Sequence, residues 1–300
     1  MSSGSPDYHV TWRRYPRRFI RQARRPVDRL REGMERVVRI GGRPSWPHRV
    51  LYIAGLPKSG THWLASLLGS VPGYRLRKPY DPDRCTYRHD VCREVFVRLP
   101  SDLYSVVRHH TQCNEGNLAV LKSRGIVPIV MTRDLRDQCV ARYFHVLQDR
   151  GHRHHSRYTH ATREDGLRHC VEFTLKRYVP WVRQWRKEVR LRSEAYVLTS
   201  FERMHASPAG ELGRILTALD IHGVDVEDIV EDTRAGTTFN LRRNLLWRKG
   251  TARKGIVGDW RNHLRPDLAL LFEDACPDLL YTPGVVSEPG ARGEKDAAAL

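Results

Sequence analysis

The stretch AGLPKSGTHWLASLLG, Ala54 to Gly69, decides how this chain reads. It carries the glycines of a phosphate loop at Gly55 and Gly60. An apolar run, RVLYIAGL (Arg49–Leu56), precedes it, and an apolar helical run, THWLASLLGSV, follows. Strand, glycine loop and helix in that order gather backbone N–H groups and a helix N-terminus around an anion. The loop is altered, however. Lys58 sits inside it, and Thr61 stands where a nucleotide triphosphatase has its lysine. Two residues beyond Gly60, where such a loop carries the Ser or Thr that holds Mg²⁺, stands His62, a poor partner for that ion. The loop therefore predicts a phosphate handled without a metal, its charge neutralised by side-chain cations.

Working outward, LYSVV (Leu103–Val107), IVPIVMT (Ile126–Thr132) and AYVLTS (Ala195–Ser200) read as further strands. Helical patterns lie between and after them: EGNLAVLKSRG ending at Gly125, then Leu135 to Asp149, Glu164 to Arg190, Pro208 to Asp220, Val224 to Glu231 and Pro266 to Ala275. The alternation predicts an α/β fold with a mostly parallel sheet and helices on both faces. GHRHHSRYTH (Gly151–His160) reads as a polar loop. Its histidines lack the acidic partners and regular spacing that would favour a metal site over a solvated loop. Trp181 and Trp185, one helical turn apart, fit either core packing or the wall of an acceptor pocket.

Three hundred residues with 40% hydrophobic side chains suit one large α/β domain or two small ones. The net charge of +18 points to an anionic partner or to a solvated arginine-rich surface. Residues 1–48 read as a basic arm. Val27, Leu30, Met34 and Val37 place a short amphipathic helix in it, which fits docking on the protein's own body or an anionic membrane surface. Residues 49–282 form the expected main domain, and 283–300 read as a disordered tail. Six cysteines without a CxxC pair fit the reducing cytoplasm. No membrane-length apolar run and no signal-peptide core is visible.

Three further features favour a phosphate ligand. Trp63 lies just past the loop, where a ring can stack on a base. Arg133, in MTRDLRDQCVARYF, stands at the carboxyl end of a strand, where open α/β sheets bind ligands. RKGIVGDW (Arg253–Trp260) joins two cations and a glycine in one loop.

With these on the page, the chain resembles the cytosolic-type sulfotransferases, which transfer a sulfuryl group from 3′-phosphoadenosine 5′-phosphosulfate (PAPS). PKSGTHWL is similar to their PKSGTTWL loop, RDLRDQCVARYF to their 3′-phosphate segment, and RKGIVGDWRNHL to their RKGxxGDWxxxF motif. All three stand in family order over about Arg49 to Thr282. The resemblance implies a P-loop-like sulfotransferase architecture. It puts Lys58, Ser59, Gly60 and Thr61, with His62 beside them, at the 5′ end of the cofactor and Trp63 against adenine. It puts Arg133, Arg253, Lys254 and Gly255 at the 3′-phosphate. Phe201, in SFERM, falls where the family has Tyr in a YEDM-like segment, and Thr233 falls at a further adenosine contact. The family's KTHLP-like stretch falls on VVRHHTQ, so His110 matches the catalytic histidine, with His109 a close rival and Arg108 at the lysine position. Three departures stand out: Ala141 replaces the 3′-phosphate Ser, His62 replaces the second Thr of the loop, and the KxxxTVxxxE dimer motif is not visible.

The implied reaction is in-line sulfuryl transfer from PAPS to a hydroxyl or amine, with His110 as general base, Lys58 neutralising the leaving phosphate, and no metal. Two other readings stay open. A P-loop kinase would use Asp134 on Mg²⁺, and a non-enzymatic polyanion binder would use the basic arm; nucleic acid is not the expected partner. The acceptor, whether small molecule, sugar or lipid, would meet the Arg- and His-rich segments 80–98, 151–163 and 237–247. The oligomeric state is open.

Overall fold

The structure, a computed structural model, describes residues 45–77, 90–91, 96, 99–235 and 255–282. The amphipathic helix expected in the arm, two of the acceptor segments in whole or large part, Arg253, Lys254 and the expected tail lie outside the described residues.

Five strands form one wholly parallel sheet: β1 (Val50–Gly55), β2 (Tyr74–Leu76), β3 (Tyr104–His109), β4 (Pro128–Thr132) and β5 (Val197–Ser200). Their order is β2-β3-β1-β4-β5. In register, Ala54 of β1 faces His109 of β3, and Gly55 faces Met131 of β4. The helices are α1 (Thr61–Ser70), α2 (Glu115–Lys122), α3 (Leu135–Gln148), α4 (His155–Thr159), α5 (Arg163–Leu191), α6 (Phe201–Ala206), α7 (Pro208–Ala218), α8 (Val226–Ala235) and α9 (Pro266–Ala275). Among the described residues no helix is long and apolar enough to cross a membrane.

The near-continuous apolar strands follow from burial on both faces. Side chains alternate along a strand, so β1 sends Tyr52 and Ala54 to one core and Leu51 and Ile53 to the other. The first core is closed by α3, α5 and α9, through residues such as Val140, Trp185 and Phe272. The second is closed by α1 and α7, through Leu64, Leu68, Leu212 and Ile215.

The strand order places the site. From β1 the chain crosses to β2 and returns through β3; it then passes to β4 and β5 on the other side. Such a reversal opens a crevice at the carboxyl ends of the central strands. Gly55, His109, Thr132 and Ser200 are the last residues of β1, β3, β4 and β5. Each is followed at once by a residue the sequence singled out: the Lys58 loop, His110, Arg133 and Phe201.

Three elements differ from expectation. β2 is only three residues long and carries no pattern to read. The short α6 is set by Ser200, whose side chain accepts from Arg203 N. GHRHHSRYTH is not wholly loop, because α4 forms within it. Tyr158 provides the reason: its ring is buried and its hydroxyl accepts from Arg142 Nη1 at 2.7 Å, which anchors one turn of helix.

Candidate active site

The phosphate loop is held by backbone geometry. Lys58 and Gly60 both adopt positive φ, 70° and 93°. A Cβ at Gly60 would lie 2.8 Å from the Phe201 ring and 2.9 Å from Met131 Cε, so the position is closed to larger residues. Gly60 caps α1 with no side-chain hydrogen bond, and the first turn of α1 contains no acid. The first turn of a helix has backbone N–H groups without intrahelical acceptors, the general setting in which an anion is received. Ser59 Oγ donates to Leu56 O at 2.7 Å and so braces the loop. Gln138 Nε2 donates to Pro57 O at 2.7 Å from α3. Thr61 is buried and His62 exposed.

Arg133 ties this loop to its neighbours. Its Nη1 donates to Lys58 O at 3.2 Å and its Nη2 to Ile256 O at 3.1 Å. The guanidinium lies 4.1 Å from the Phe201 ring centroid, and Phe201 meets Trp63 edge-on at 5.8 Å. Burial lowers the Arg133 pKa, and Asp137, Glu202 and Asp134 oppose that shift. Its Nε is buried with no hydrogen-bond partner among the described residues. Such an orphan donor is costly unless a ligand takes it.

The end of β3 is held by side chains. Arg108 and His109 close β3, and His110 follows it. His110 Nδ1 donates to Gly55 O at 2.5 Å. A carbonyl oxygen can only accept, so Nδ1 carries a proton, and in the neutral ring the lone pair is on Nε2. His109 turns elsewhere: its Nδ1 lies 3.0 Å from Thr111 Oγ1. The two rings diverge, as adjacent residues at a strand end should. Thr111, fully buried, pins this chain end. Its Oγ1 is 2.6 Å from the Tyr52 hydroxyl, and its carbonyl accepts from the indoles of Trp181 at 2.8 Å and Trp185 at 3.1 Å. Of the two readings of these tryptophans, the core one therefore holds; both are buried and spend their N–H groups on Thr111. Burial lowers the Arg108 pKa to about 10.

Of the remaining candidates, Gly255 is exposed at the start of the described turn. Thr233 is half-buried on α8, which packs on α1. Ala141 is buried on α3. Asp134, the acid that a kinase would need, is committed elsewhere. Its carboxylate accepts from Arg136 at 2.7 and 3.1 Å and from Tyr281 N at 2.9 Å.

Sequence reasoning missed Thr111, Tyr52, Gln138 and Asp137. The last two lie within the α3 segment already singled out, and Asp137, four residues after Arg133, faces it by helical spacing. Nothing local marks Thr111 or Tyr52, whose partners are distant in the chain.

The family model described as the sulfotransferase domain matches residues 48–283. The chain belongs to the sulfotransferase family, and its reaction class is sulfuryl transfer. Mouse sulfotransferase SULT7A1, solved with PAP, shares the fold at TM-score 0.58 and 19% identity, over 77% of this chain and 84% of its own. Retinol dehydratase, solved with androsterone and inactive cofactor PAP, gives TM-score 0.53 and 16% identity, over 81% of this chain and 84% of its own. A search of curated sequences returns no match.

Proposed function

We propose that the protein is a PAPS-dependent sulfotransferase acting on a hydroxyl or amine acceptor, with His110 as general base. One observation carries this reading: the His110 ring is oriented by Gly55, the residue that opens the phosphate loop, through the bond from Nδ1 to Gly55 O. The proposed base is thereby tied to the residue that opens the phosphate loop. His110 Nε2 would take the acceptor proton, an effect worth about 10²–10⁴-fold in rate.

The residues present fit the cofactor. When bound, PAPS supplies the sulfuryl group on a phosphate leaving group. The uncapped first turn of α1 would hold the 5′ end with Lys58 as the local cation, and the orphan Nε of Arg133 would serve the 3′-phosphate. Trp63 would stack on adenine, Phe201 would support it from beneath, and Thr233 would add an adenosine contact. Arg253, Lys254 and Gly255 would complete the 3′ site. The metal-independent reading is supported by His62 in the magnesium position and by the engagement of Asp134 with Arg136. A cytoplasmic setting is supported by the free thiols of Cys113, Cys139, Cys170 and Cys276. The basic arm would supply any contact with an anionic membrane.

Calorimetry with 3′-phosphoadenosine 5′-phosphate (PAP) and AMP tests the reading. PAP should bind at least about tenfold more tightly, as one further charged hydrogen bond allows, and added Mg²⁺ should change neither affinity. Equal affinities, or a strict need for Mg²⁺, would replace this reading with the kinase one.

A further inference from the structure

We propose that Asp137 is a positioning residue for 3′-phosphate recognition: it holds the Ile256–Trp260 turn against α3, and through that turn it aims Arg133. This rests on the cofactor reading above.

Asp137 is almost wholly buried, and both its oxygens are used by one turn. Oδ2 accepts from Gly258 N at 2.7 Å and Oδ1 from Trp260 N at 2.9 Å. Gly258 makes this possible with φ at 82°; a Cβ there would meet Arg261 Nη1 at 2.8 Å. Ile256, two residues earlier in the same turn, presents its carbonyl to Arg133 Nη2. The Asp137 carboxylate also lies 3.9 Å from that nitrogen. With Nη1 on Lys58 O and Nη2 on Ile256 O, the guanidinium is tied at both ends, and its buried Nε makes no hydrogen bond among the described residues.

A carboxylate so close to a phosphate site would ordinarily repel the ligand. Here it is compensated by two amide donors and by Arg133. Burial raises the Asp137 pKa, and those three groups oppose the rise. An amide cannot replace it. Asn offers one acceptor oxygen, and its NH₂ would face a second N–H donor. The turn would lose a clamp, and Arg133 would lose the carbonyl that aims it.

The experiment is calorimetry of PAP and AMP on the full chain and on Asp137→Asn. The expected result is a fall of about tenfold in PAP affinity with AMP affinity nearly unchanged, as for loss of a charged hydrogen bond. Hydrogen exchange of the Gly258 and Trp260 amides should accelerate. If the wild type itself does not prefer PAP, the cofactor reading fails before the variant matters. If the wild type prefers PAP and Asp137→Asn keeps that preference, or loses PAP and AMP affinity equally, Asp137 is not a positioning residue for this phosphate. Should Asp137→Asn not fold, Gly258→Ala strains the same turn from the other side. It should show the same selective loss, and an unchanged preference overturns the proposal.

Discussion

On one side of the proposed site, the loop proposed as the anion cradle is made by consecutive residues. Ser59 bonds to Leu56, Gly60 caps α1, and both positive φ angles fall within three residues. On the side of the proposed base, the chain end that carries His110 is held by Tyr52, Trp181 and Trp185, partners 59, 70 and 74 residues from Thr111. The first side is a local backbone device and the second a tertiary one. The first should therefore fail when a single φ angle is disturbed. The second should fail by degrees, because two indoles and one hydroxyl share the load.

Gly60→Ala should have the larger effect. A left-handed φ costs a non-glycine residue about 1–2 kcal/mol, and crowding Phe201 and Met131 adds about 1–3 kcal/mol. Nucleotide affinity, read by calorimetry, should fall at least about tenfold. Wild-type affinity in this variant would mean that the cradle is not where the anion binds.

Thr111→Val should act on the other side alone. It removes the hydroxyl from Tyr52 and His109 while the indole bonds to the carbonyl survive. PAP affinity should hold, and kcat should fall by up to about 10²-fold through misplacement of His110. An unchanged kcat would show that the two tryptophans suffice; a loss of PAP affinity would erase the distinction between the two sides.

The same contrast explains what the sequence discloses. The loop, Arg133 and the four long strands are legible because the periodicity and spacing that mark them are local. The short β2 lacks the length to show a period. Tyr158 converts part of a histidine-rich loop into α4 through a bond to Arg142, sixteen residues earlier. Tyr52, on β1, reads as one more apolar strand residue until its hydroxyl is seen on Thr111. Ser59 is marked by its place in the loop, but the bond from its side chain to Leu56 O is visible only in the structure. Spacing tells which residues share the loop; it does not tell which partners their side chains take.

The central claim, that His110 is the base and that its ring is set by Gly55, is tested most directly by comparing the two neighbouring histidines. Turnover of ³⁵S-labelled PAPS against a pooled acceptor extract would be measured for His110→Ala and His109→Ala, with PAP affinity determined on the same preparations. His110→Ala should lose about 10²–10⁴-fold in turnover with PAP affinity intact. His109→Ala should retain most of its turnover, since that ring lies against Thr111. An active His110→Ala enzyme, beside a folded but inactive His109→Ala enzyme, would contradict the account and transfer the role to His109.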